Sequence, residues 1–171
     1  MKTLHLTKRF LGSLLPIGPS ESDSQWATSH LLPGEVELWN RMSAQDRRHA
    51  AGVARRSVEA LGDQANRPVI AAALLHDVGK VDSHLGTFLR VVATLSAAVA
   101  GRETAELWVR TTGVTRRIGL YLKHPEIGGD LLGMAGSDEL TSTWAREHHL
   151  PADMCSLEPA IATALRDADD D

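Results

Sequence analysis

An imidazole and a carboxylate, His76 and Asp77, stand side by side at the end of an apolar run, in the segment AAALLHDVGK that spans Ala71 to Lys80. Burying such groups is costly unless they are paired or bind a metal. Adjacent positions on a helix point about 100° apart, so the pair can grip one cation from two sides, or the carboxylate can bridge two. The plainer alternative is a helix end closed by a His–Asp hydrogen bond. The other histidines bear on that choice, because the chain has eight in 171 residues. His49 shares a stripe with Val53, Arg56 and Ala60, at the i, i+4, i+7, i+11 spacing of one helix face. His124 precedes Pro125 in KHPEIGGDLL, and His148 and His149 stand together before Leu150-Pro151. Both places read as helix boundaries. Taken singly, each histidine reads as an ordinary core or surface residue. Together with the His-Asp pair they form a nitrogen and carboxylate set suited to one or two divalent transition metals, Mn, Fe, Ni or Zn.

Among the C-terminal carboxylates, one is spaced to face inward. Asp169 lies four residues after Leu165 and eight after Ile161, on one inward stripe, while Asp167 falls on another face and is the weaker choice. The rest of the acidic C-terminus reads as a solvated helix end. Lys80 follows the helix-ending Gly79; such a lysine commonly binds the last carbonyls, and beside a metal it becomes a phosphate ligand. Gly128-Gly129 reads as tight helix packing or as a place where backbone approaches a ligand.

The elements that carry these residues read as helices throughout. The apolar set is Ala, Leu and Val with four Trp, two Phe and one Tyr, a composition that favours packed helices over sheets. The pattern predicts a loosely ordered arm at 16–30, rich in Pro, Gly and Ser. A long helix over Val36 to Leu61, stopped by Gly62, follows. A short apolar helix from Val69 to Asp77 begins after Asn66-Arg67-Pro68 and ends at Gly79. Further helices are expected over Leu85 to Ala100, Arg102 to Lys123 with a break near Gly113, Glu126 to Met134, and Glu139 to His148. A last helix starts near Ser156-Leu157-Glu158-Pro159. The expected fold is all-α, a bundle of six to eight helices, with an N-terminal arm over 1–33 and a metal-binding domain over 34–171.

Composition bounds the function. At 43% hydrophobic, a chain of this size can remove roughly 70% of its unfolded surface from water. Non-specific nucleic-acid binding needs a basic surface, and the formal net charge of −4 argues against it. The pairs Arg47-Arg48 and Arg116-Arg117 read as solvated helix faces or as contacts for a small phosphorylated molecule. Cys155 is the lone cysteine, so no intramolecular disulfide forms and a reducing cytoplasm fits. Met1 to Ile17 has basic residues and a short apolar run, but Gly12, Ser13 and Pro16 break it, and it reads as a docking helix or tail. Leu85 to Ala100 is shorter than a ~20-residue span and carries Arg90, so no membrane partner is expected.

With HDVGK at 76–80, HPEIGG at 124–129, EHH at 147–149 and LRDADDD at the C-terminus, the sequence resembles the HD-domain superfamily of metal-dependent phosphohydrolases. The likeness runs from Gln45 to Asp169, and the layout is most similar to the HD-GYP branch. The resemblance implies a first metal on His49, His76, Asp77 and Asp169, and a second on His124, His148 and His149 with Asp77 bridging. It places Lys80 on the substrate phosphate, with Asp77 and Lys80 as the catalytic pair. It implies hydrolysis of a phosphate ester, most simply a nucleotide or cyclic dinucleotide. The chain departs from that branch where HHLPADMCSLEP replaces the Gly-Tyr-Pro segment, which speaks against cyclic di-GMP. Gln45 stands where trinuclear members have Glu, so a third metal is not expected. Two rival readings are a non-catalytic module that senses a ligand or partner, and a di-iron oxygenase.

Overall fold

The structure, a computed structural model, describes residues 17–86, 89, 93, 104–151 and 154–170. Those residues form helices, turns and loops without a strand, as the composition predicts. We label the helices α1 (Glu21–Ser29), α2 (Pro33–Arg41), α3 (Ala44–Leu61), α4 (Arg67–Leu75), α5 (Gly113–Leu122), α6 (His124–Met134), α7 (Glu139–Glu147) and α8 (Pro159–Asp170). A 3-10 turn over Val78–Ser83 follows α4, and residues 104–109 are also helical. None of the helices is long and apolar enough to cross a membrane, among the described residues.

Helix α4 is the centre. Asn66 caps it by accepting from Val69 N–H at 3.2 Å, Pro68 sits in its first turn, and every residue from Val69 to Leu75 is buried. A helix apolar all round must be covered on all sides. Here α3 and α7 cover it, and α8 and α6 pack in turn on those two. Trp39, Trp144, Leu74, Leu75, Leu132 and Leu165 fill the space between them, each burial worth roughly 1.5–3 kcal/mol. The end of α4 is thereby carried into the middle of the bundle, and it is there that His76 and Asp77 stand.

Three expectations need correcting. The single helix over Val36 to Leu61 is two helices, because Met42-Ser43 is extended. Ser43 Oγ accepts from Asp46 N–H at 3.1 Å and starts α3, the usual task of an N-cap serine. The loose arm at 16–30 contains α1, capped by Ser20, whose Oγ accepts from Asp23 N–H at 3.0 Å. That helix is docked: Ala27 is fully buried, and Arg55 stacks 3.7 Å from the Trp26 ring centroid. The helix expected to reach Asp77 ends at Leu75, with His76 at its C-cap. The predicted helix over 85–100 and the tail over 1–17 lie largely outside the described residues. The break near Gly113 is present, with Gly113 at φ 65.

Candidate metal centre

Three buried histidines present the same arrangement. His76, His124 and His148 lie at or beside helix ends, and each directs Nδ1 to the carbonyl three residues back. The distances are 2.9 Å to Ala73 O, 2.7 Å to Tyr121 O and 2.9 Å to Ala145 O. A carbonyl only accepts, so Nδ1 carries the proton. Nε2 then bears the lone pair in the neutral ring, the form in which imidazole binds a metal. All three Nε2 atoms are buried and without a hydrogen-bond partner.

Those Nε2 atoms surround Asp77. Its Oδ1 lies 3.3 Å from His124 Nε2 and 3.7 Å from His148 Nε2. Its Oδ2 lies 3.5 Å from His76 Nε2 and pairs with Lys80 Nζ. One oxygen faces His124 and His148 and the other faces His76 and Lys80, so the carboxylate stands between the two groups of histidines. Two triads have ligand atoms that all lie within 4.8 Å of one another: His49, His76 and Asp77, and His124, His148 and His149. His149 stacks on His148 with ring centroids 3.9 Å apart and lies 5.2 Å from the His124 ring. Asp169 Oδ1 joins the first triad, accepting from His49 Nε2 at 2.8 Å with His76 Nε2 at 3.6 Å. Every residue singled out as a metal ligand from sequence is brought together here. Asp167, the weaker candidate, is exposed.

The electrostatics follow from crowding these groups away from water. Burial opposes charge on Asp77, but Lys80 and His76 outweigh it and hold the carboxyl well below the usual carboxylate range. Burial likewise opposes a charged His76, yet Asp77 and Asp169 prevail and raise it to about 9. His148 goes the other way: burial and the neighbouring His76 push it well below 6.5. His149 is exposed on the surface, yet partial desolvation and His124 hold it down at about 4. Lys80 is raised, the charge of Asp77 outweighing burial, and it also faces the Tyr121 ring at 5.8 Å. Asp169 is lowered; burial opposes its charge, and the His49 hydrogen bond and His76 overcome that.

Local packing explains why these ends converge. A Cβ on Gly79 would collide with the His124 carbonyl oxygen and lie 2.6 Å from Gly128 N. Gly79 and Gly128 therefore let the turn after Asp77 rest on the backbone of α6, which sets His124 beside Asp77. Gly129 makes room for the Arg146 side chain, which donates to Asp130 at 2.8 Å and to Glu126 O at 3.2 Å, tying α7 to α6. The Gly128-Gly129 pair serves helix packing. Arg56, read from sequence only as part of the His49 stripe, donates from Nε and Nη2 to Ala168 O at 2.9 and 2.7 Å. It positions the residue next to Asp169. Arg117 donates to Ser83 O at 3.1 Å, and Arg116 is exposed.

No known protein-family model, curated protein or solved structure matches this chain.

Proposed function

We propose that this chain is a metal-dependent phosphohydrolase of HD-domain type, acting on a small phosphate ester in the cytoplasm. The observation that carries the reading is the trio of buried, unpartnered Nε2 atoms, on His76, His124 and His148, facing the two oxygens of Asp77. A buried polar atom without a partner costs roughly 1–3 kcal/mol. A bundle that needed only to fold gains nothing from three of them around one carboxylate; a pair of divalent cations, one for each group of histidines, would satisfy all three. The donor set of imidazoles and carboxylates suits Mn, Fe, Ni or Zn.

His49, His76, Asp77 and Asp169 would hold one ion, and His124, His148 and His149 a second, with Asp77 between them. When bound, such ions supply Lewis-acid polarisation of a phosphoryl oxygen and acidify water at the site. The chain's own contributions are separate. The carbonyls of Ala73, Tyr121 and Ala145 fix the imidazole tautomers. Asp77 offers one oxygen to each set of histidines, and Lys80 holds a positive charge beside the carboxylate, where a phosphoryl group would sit. The lone Cys155 fits a reducing compartment.

The test is turnover by Mn-loaded protein of p-nitrophenyl phosphate and bis(p-nitrophenyl) phosphate. Asp77→Asn, checked for fold by circular dichroism, is expected to lower turnover by roughly 100-fold or more. Fully metal-loaded protein that hydrolyses neither ester nor any of a panel of nucleotides would sink the hydrolase reading and favour a ligand-sensing module.

A further inference from the structure

Beside the metal-ligand candidates lies an open cleft of ≈ 590 Å³, within the range of small-molecule sites (about 300–1,000 Å³). His148, His149 and Asp169 line it from the candidate metal centre, the Leu150-Pro151 turn closes one part, and Arg166 and Asp170 complete it. Arg166 is the one lysine or arginine among those lining residues. It stands one turn before Asp169 on α8, so the two side chains share a helix face.

The guanidinium is held in place. Its Nη2 donates to Leu150 O at 2.8 Å, and its Cζ lies 5.9 Å from the ring centroid of the buried Trp144. A guanidinium has five N–H donors in a fixed fork, so one bond to Leu150 leaves donors for a planar or tetrahedral anion. Lys80 is disposed differently. It is paired with Asp77, faces Tyr121, and does not line the cleft. The two cations therefore have different partners, and of the two only Arg166 lines the cleft.

We infer that Arg166 is a specificity determinant: it binds a second anionic group, carboxylate or phosphate, on a substrate whose first phosphoryl group lies at the metals beside Lys80. This rests on the phosphohydrolase reading for the first group and adds the requirement for the second. The carboxylates of Asp169 and Asp170 also line the cleft and repel an anion, so without Arg166 the cleft disfavours one. A substrate with two anionic ends is selected over one with a neutral tail.

The test uses hydrolysis-inert probes on Mn-loaded full-length protein, followed by calorimetry, with metal content measured beside each titration. Propylphosphonate carries one anionic group; 3-phosphonopropionate adds a carboxylate and 1,3-propanediphosphonate a second phosphonate. At least one of the latter two is expected to bind roughly tenfold tighter than propylphosphonate, as one added charge-assisted contact implies. Which of them does so separates carboxylate from phosphate. Arg166→Gln is expected to abolish that advantage while propylphosphonate binding and metal content hold. Arg166→Lys, which keeps the charge and loses the fork, is expected to retain part of the advantage, and it serves if the glutamine variant does not fold. Equal binding of all three probes by wild type, or an advantage that survives Arg166→Gln, overturns the inference. Absence of ester turnover alongside an intact probe advantage would count against hydrolysis and leave Arg166 as the second-anion site.

Discussion

His49 Nε2 and Asp169 Oδ1 meet at 2.8 Å across 120 residues of chain. The contact joins α3 to α8 directly over His76, whose Nε2 is 3.6 Å from the same carboxylate oxygen. Both partners are partly exposed, with 33% and 28% of their side-chain surface accessible. As a surface ion pair it would contribute little to stability. Its place at the edge of the buried histidines gives it another use, which is to hold two prospective ligands at a common point.

Asp169 is accordingly expected to matter for metal and Asp167 not. Asp169→Asn should weaken Mn affinity by at least roughly 10-fold in competition with a fluorescent chelator, and Asp167→Asn should leave it unchanged. The reverse ranking would move the late ligand to the other face of α8.

Arg56 gives two N–H groups to the Ala168 carbonyl. Arg56→Gln should cost about 1.5–3 kcal/mol in urea unfolding, the usual range for hydrogen bonds to charged groups. It should also weaken metal binding, because α8 then holds Asp169 less firmly. A stability loss with unchanged metal affinity would restrict Arg56 to a purely structural role.

Gly79 has no space for a side chain, since its Cβ would meet backbone of α6 on two sides. Gly79→Ala should destabilise by about 1–3 kcal/mol or more. Gly86, with nothing among the described residues within 4 Å of an added Cβ, should accept alanine within about 0.5 kcal/mol. Thermal unfolding of the two variants side by side makes the comparison.

The metal-free protein should be most stable near pH 6.5, through two opposed histidines. His76 is raised to about 9 in the fold. Its proton is bound natively but not in the unfolded chain between 6.5 and 9, so that stabilisation is complete below 6.5 and is lost as pH rises through 9. His148 is held well below 6.5. The unfolded chain takes up its proton first, so stability falls as pH drops below 6.5. His76→Gln should flatten the alkaline limb of a melting-temperature profile, and His148→Gln the acidic one. An unchanged profile in either variant would contradict the assigned shift.

The candidate ligands were legible because their signals are local. A buried apolar run from Ala71 to Leu75 that ends in His-Asp-x-Gly cannot hide those side chains on a surface, and Pro125 and Pro151 mark the boundaries that present His124 and the His148-His149 pair. Asp169 could be told from Asp167 by its spacing from Leu165 and Ile161. The breaks were harder. Apolar positions continue through Met42, which masked the boundary between α2 and α3, although Ser43 with Asp46 three residues on is an N-cap signal. The same signal, Ser20 with Asp23, marks α1 inside a stretch whose Pro, Gly and Ser content suggests a loop. Arg56 and Arg166 were beyond reach from sequence. Their partners are a carbonyl 112 residues away and a cleft that exists only once α7 and α8 are packed.

Metal content tests the central claim most directly. Protein purified without chelator or added metal, and again after reconstitution with Mn, would be measured by elemental analysis beside His76→Ala and His124→Ala. Two equivalents per chain in the wild type are expected, falling to about one in His124→Ala and close to none in His76→Ala, in line with the two groups of candidate ligands. No stoichiometric metal in the reconstituted wild type would contradict the metal centre and the phosphohydrolase built on it.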